Sequence, residues 1–250
     1  MATGLSQRGY KELFEDWTGA DNIGTTVADG LLWLNSSDSG NTAFAIVADA
    51  QGPIAQAATD NTDNDMCEIA YHLLSWSVQN GELYMETRVK VVADIDTVAF
   101  NVGFNDDVLE DGNTLPVELS GTTWTTNAST WVGIAYDIDA DNDNVHAMWV
   151  DDDADAVEAI ADLRFNDITP VNDEWFGVGI RLSDRGAGRG VRAEFTVVEE
   201  STGKIAQKAF NTSVDRDALL TPHIGFENRA GVIHAFEIDY IYIKQSRSTT

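Results

Sequence analysis

Hydrophobic and polar residues alternate over long stretches of the chain. Across residues 191–200 (VRAEFTVVEE), Val191, Ala193, Phe195 and Val197 fall on one side, and Arg192, Glu194 and Thr196 on the other. Residues 82–92 (ELYMETRVKVV) behave alike, with Leu83, Met85, Thr87, Val89 and Val91 together. A period of two marks a strand with one dry and one wet face. The pattern predicts further strands over residues 31–34, 43–47, 69–76, 98–104, 131–137, 145–150, 176–182, 205–210, 224–227 and 233–243. Turn-forming residues separate them. Residues 201–204 (STGK) predict a hairpin loop between two alternating runs, and Asn80-Gly81 opens a strand after a polar break. Residues 106–113 and 186–190 read as longer loops, and residues 155–163 (DAVEAIADL) as a short helix. No fixed repeat and no low-complexity linker divides the chain. The expectation is an all-β fold: one two-sheet antiparallel sandwich of jelly-roll type over residues 12–244. A polar arm (1–11) precedes it and a short tail (245–250) follows.

Composition sets limits on this picture. A chain of 250 residues, 43% of them hydrophobic, can bury one sizeable core. The single cysteine, Cys67, excludes an internal disulfide and a zinc site built on several thiolates. No apolar run approaches the ~18 residues of a membrane span. The first seventeen residues lack the apolar run of a secretory signal.

Charge changes the picture more. Forty-two acids against fifteen bases give a net charge of −27. Residues 12–163 hold thirty of those acids and two bases, Arg88 and Lys90. Nucleic-acid binding needs a basic footprint, so it is excluded as a function class. High acidity suits a salty medium, where self-repulsion is screened within a short distance.

Several motifs could carry chemistry. Asp137, Asp139, Asp141 and Asp143 alternate along residues 137–144, which is how a calcium loop begins. Asn142 stands where such a loop needs glycine, and Met148 where it needs glutamate, so this is no EF-hand. The run remains a candidate site for Ca²⁺ or another hard cation, against the plainer reading of a polar hairpin. Glu237 and Asp239 share a strand face, as paired glycosidase carboxylates can. No third acid follows in Tyr240–Ile241–Tyr242–Ile243, so no catalytic residue is assigned and both acids are expected to face water. The four histidines, His72, His146, His223 and His234, form no local metal pair. Of the seven tryptophans, Trp124 lies in a threonine-rich run (GTTWTTN) and is the candidate for stacking on a sugar. Arg185, Arg189 and Arg192 cluster near a glycine-rich loop, and Arg8 and Lys11 lie on the arm. The three loop arginines are candidate contacts for an acidic partner, and the arm with Arg8 and Lys11 is a candidate strap onto a neighbouring subunit.

Certain segments, taken together, resemble a known group. These are FEDW (14–17), LPVELSGTTWTTNASTW (115–131), YDIDADNDNVHAMWVDDD (136–153), IADLR (160–164) and VRAEFTVVEESTGK (191–204). They are similar to virion structural proteins of tailed, especially marine, bacteriophages, over roughly residues 10–245. The resemblance implies a concanavalin A-like jelly roll. It implies a non-enzymatic role in head decoration, or in a head fibre or tail receptor binder that grips surface glycans. For a decoration protein the implied partners are the major capsid protein and further copies of the chain, as a homotrimer. The protein would be made in the host cytoplasm and placed on the capsid exterior.

Overall fold

The computed structural model describes residues 10–18, 23–25, 32–49, 52–121, 123–140, 144–152, 164–165 and 168–246. Among these, the first nine strands are β1 (Tyr10–Glu15), β2 (Ile23–Gly24), β3 (Trp33–Ser37), β4 (Thr42–Asp49), β5 (Gly52–Ala58), β6 (Met66–Tyr71), β7 (Leu83–Val92), β8 (Val98–Asn105) and β9 (Val117–Ser120). Next come β10 (Thr123–Thr126), β11 (Trp131–Asp137), β12 (His146–Val150), β13 (Phe176–Asp184), β14 (Val191–Glu199), β15 (Lys204–Asn211), β16 (Thr221–Asn228) and β17 (Ala235–Ser246). The all-β expectation holds. The candidate helix at 155–163 lies outside the described residues.

Two sheets make the sandwich. The first runs β15-β14-β13-β7-β17-β5-β4, with β1 added along the far half of β17. The second runs β12-β11-β8-β16-β6-β3-β2. The alternation in the sequence decides which faces meet. Met85 and Val89 of β7, Val178 and Ile180 of β13, and Phe195 of β14 point inward from the first sheet. They join Phe100, Val102, Ile134, Ile224 and Phe226 from the second in one apolar cluster. Burying such side chains stabilises the fold by roughly 1.5–3 kcal/mol each.

The paired region is longer than the pattern suggests. β1 pairs with β17 from Tyr10↔Ser246 to Glu15↔Ile241, so residues 10–11 and 245–246 belong to the sheet and not to arm and tail.

The outward faces of the two sheets differ. The described residues of the stretch 106–128, including strands β9 and β10, fold over the second sheet. Trp124, Leu119 and Val117 of the hairpin pack on Trp131, Ala135, Met148 and Val150 as a second apolar cluster. Polar ties fasten this cap: Val117 N–H donates to Asn101 Oδ1 (3.0 Å), Leu119 N–H to Asp137 Oδ2 (3.2 Å) and Glu110 N–H to Glu68 Oε2 (3.0 Å). Beneath it His223 and Glu68 form a fully buried pair at 2.7 Å. Among the described residues, the first sheet turns a broad outer face to solvent.

The cap carries a titration. Burial, aided by Arg164 and Lys208, pushes His146 down to about 4. An unfolded histidine takes its proton near pH 6.5. Stability is therefore full above that pH and falls as pH drops from about 6.5 toward 4. Between pH 7 and pH 5 we expect a loss of about 2 kcal/mol from this group. Urea unfolding at the two pH values should show it, and His146→Gln should remove that part of the difference.

Candidate functional site

A trough of about 710 Å³ lies on the open face of the first sheet. Its origin is local. β13 reads Phe176-Gly-Val-Gly-Ile-Arg181, so its inward positions are apolar while two successive outward positions, Gly177 and Gly179, have no side chain. Neither glycine adopts a positive φ, so the backbone does not demand them. A Cβ on Gly179 would stand 3.5 Å from the Tyr84 hydroxyl, in ordinary contact and inside the trough.

Register sets the walls. Gly179 lies opposite Glu86 of β7 on one side and Thr196 of β14 on the other. The same rung continues to Tyr242 of β17 and Phe14 of β1, and outward to Gln207 of β15. Six side-chain positions thus cross six strands, at about 4.8 Å per strand.

One end of this rung is aromatic. Phe14 is 56% exposed. Its ring centroid lies 6.1 Å from Tyr240 and 6.3 Å from Tyr242, and Tyr242 lies 6.3 Å from Tyr84. An exposed apolar ring within an aromatic group is a common mark of a contact surface.

The centre is polar and tightly bonded. Tyr84 donates to Glu86 Oε2 (2.5 Å) and Tyr240 donates to Glu86 Oε1 (2.6 Å). Burial and these bonds to a carboxylate hold both phenols above their ordinary range. Arg88 grips Glu200 with two nitrogens (2.7 Å each) and reaches Asp239 at 2.6 Å, while stacking 5.0 Å from the Trp175 ring. Arg181 sits 5.8 Å from the Tyr84 ring and 3.9 Å from Glu82. Gln207 donates to Thr196 across the far rim (3.1 Å).

A bulge in β17 assembles part of this set. Ile238 faces Val89 and Ile241 faces Thr87, so three steps on β17 match two on β7. Bulges re-aim side chains. Here Asp239 reaches Arg88 while the next residue, Tyr240, reaches Glu86. Thr87 Oγ1 donates to the Tyr240 carbonyl at 2.6 Å, which satisfies the displaced backbone.

The residues singled out in the sequence fare differently. Trp124 is 3% exposed, packed 5.2 Å from His146 under the cap. Its threonine neighbours suggest an exposed position, but the hairpin turns the indole onto the second sheet, so it offers no surface to a sugar. Asp137 is buried, and its carboxylate receives Arg229 at 2.5 Å as well as the N–H groups of Leu119 and Asp139. Burial pushes it up, with Arg229 opposing. It anchors the cap and does not stand open as a cation ligand. Asp139 is exposed, and Asp141 and Asp143 lie outside the described residues. Glu237 does not face water: it is 7% exposed, paired with Lys90 at 2.5 Å and accepting from Gln56 at 2.7 Å.

Of the basic candidates, Arg8 lies outside the described residues. Lys11 is held within the fold, bonded to Ser75 and lying 3.7 Å over the Trp76 ring. Arg185 donates to the Arg189 carbonyl, Arg192 pairs with Glu194 at 3.0 Å, and Arg189 is exposed.

The trough escaped the sequence reading, although glycine at successive wet positions of a strand was a visible signal.

No protein-family model matches the chain, and no curated protein matches it. Solved structures do. A Shewanella oneidensis MR-1 protein of unknown function aligns at 12% identity and a TM-score of 0.64, over 98% of this chain and 90% of that one. Peanut lectin aligns at 9% identity and 0.55, over 96% and 99%. The CBM2 module of the evolved Dit of Lactobacillus casei BL23 phage J-1 aligns at 13% identity and 0.52, over 97% and 98%. With its two large antiparallel sheets, this chain has the lectin-like, concanavalin A-like sandwich fold.

Proposed function

We propose that the protein is a non-enzymatic glycan-binding module that holds its ligand on the open face of the first sheet. The supporting observation is the joined pair of features on that face: an aromatic platform of Phe14, Tyr240 and Tyr242 running into a glycine-floored polar trough. Aromatic rings accept the apolar faces of sugar rings, and fixed polar groups then choose among hydroxyl patterns. The carboxylates at the site serve bonds within the protein: Glu86 to two tyrosines, Glu200 and Asp239 to Arg88. That arrangement suits holding a ligand rather than cleaving it.

The phage resemblance and the likeness to a phage Dit module support a virion setting for this binding, as in a head fibre or a tail receptor binder. Head decoration, with the major capsid protein and a homotrimer as partners, rests on the sequence resemblance alone. The site geometry favours glycan recognition.

The test is direct. Phe14→Ala and Tyr242→Ala should each weaken retention on a bound polysaccharide by about 2 kcal/mol, roughly thirtyfold, as the loss of an anchoring aromatic does. Both side chains lie on the outer face, so the melting temperature should change little. Unchanged retention in both variants would refute the platform.

A further inference from the structure

Glu86 stands at the middle of the trough, on the rung whose next position is Gly179. A carboxylate offers about four acceptor sites. Tyr84 and Tyr240 occupy one on each oxygen, and so fix the orientation of the group. The missing side chain at Gly179 leaves room beside it. The cations around the trough have other contacts: Arg88 with Glu200 and Asp239, Arg181 with Glu82 at 3.9 Å, Arg192 with Glu194, and Lys208 at the rim with the Phe165 ring.

From this geometry we infer that the trough takes an uncharged sugar through two neighbouring hydroxyls donated to Glu86. Tyr84 and Tyr240 are positioning residues, and polyanionic glycans are turned away. The inference rests on the glycan-binding reading above and names its ligand class. The chemistry is complementary. A vicinal diol presents two O–H donors to an acceptor already held still, and bonds to a charged acceptor are the stronger kind. A uronate or sulfate would meet the Glu86 carboxylate at the centre of the trough, where the neighbouring Arg88 is already bound by Glu200 and Asp239. The net charge of −27 adds to that repulsion, most of all at low salt.

The experiment uses the full chain in affinity gels containing a neutral β-glucan, a neutral galactomannan, alginate or dextran sulfate. Wild type should be retarded by a neutral polymer and pass the two polyanions. Glu86→Gln should lose at least tenfold on that neutral polymer with an unchanged melt. Tyr84→Phe and Tyr240→Phe should lose less.

Inhibition by methyl glycosides then separates contact from scaffolding. Removing one hydroxyl of the diol from the inhibitor should cost wild type about tenfold and Glu86→Gln almost nothing, because the paired losses share one interaction. An equal deoxy penalty in both proteins, or tighter binding of alginate or dextran sulfate than of any neutral polymer, overturns the inference while the platform reading stands. Failure of wild type to bind all four polymers overturns the glycan-binding reading, and the inference with it.

Discussion

Arg229→Met is expected to cost the fold about 3–5 kcal/mol, the range for breaking a buried ion pair from one side. Arg229 pairs with Asp137 at 2.5 Å and with Glu227 at 2.7 Å, and all three side chains are nearly sealed from solvent. Removing the cation leaves two buried acids without it: Asp137, and Glu227, which burial already pushes up to about 8. One of them, Asp137, also ties down the hairpin through Leu119, so the cap should loosen with the core. Whole domains are commonly stable by only ~5–15 kcal/mol, so the loss should be plain in the urea midpoint. Adding Asp137→Asn and Glu227→Gln should return much of it, since neutral replacements leave no buried charge unpaired. A midpoint shift below about 1 kcal/mol in Arg229→Met would mean that water reaches this cluster after all.

Gly179→Val should do the reverse, with function lost and stability kept. The position has an ordinary extended φ, and a Cβ there finds its nearest neighbours at 3.5 and 3.6 Å. Valine favours strands, so the sheet should accept it. Its methyls would fill the trough beside Glu86. We expect at least a tenfold loss of glycan affinity, about 1.4 kcal/mol, with melting unchanged. Gly177 is a poorer choice, because its Cβ would press on Val198 at 3.2 Å. Full binding by Gly179→Val would place the ligand elsewhere on the sheet.

The fold was more legible than the site, for a physical reason. β7 and β14 each bury one face and wet the other, so alternation located them almost to the residue. β5, built of Gly, Pro and Ala around Ile54 and Gln56, has little side chain to alternate and went unseen. β1 went unseen because Leu13 and Lys11 turn inward while the larger aromatics Tyr10 and Phe14 turn out. That inversion is what supplies the platform. Trp124 misled because burial under a cap depends on a partner sheet distant in sequence. The bulge at Asp239–Tyr240 left no mark in the alternation beyond a change of phase, so the Arg88 and Glu86 contacts could not be foreseen.

That change of phase has a consequence for how the protein can vary. In β17 the even-numbered residues Phe236 and Ile238 are core, yet beyond the bulge the odd-numbered Ile241 and Ile243 are. Parity flips once, at the two residues that aim Asp239 and Tyr240 at the trough. A chain shortened by one residue there would keep a single parity. Ile241 and Ile243 would still turn inward, but one residue would stand where Asp239 and Tyr240 now reach Arg88 and Glu86 separately. The extra residue in this strand therefore serves the binding face and not the core. Across the trough, at Gly179, the face is free to change without the core. Variation in ligand preference among relatives should accumulate on β13 and leave the length of β17 alone.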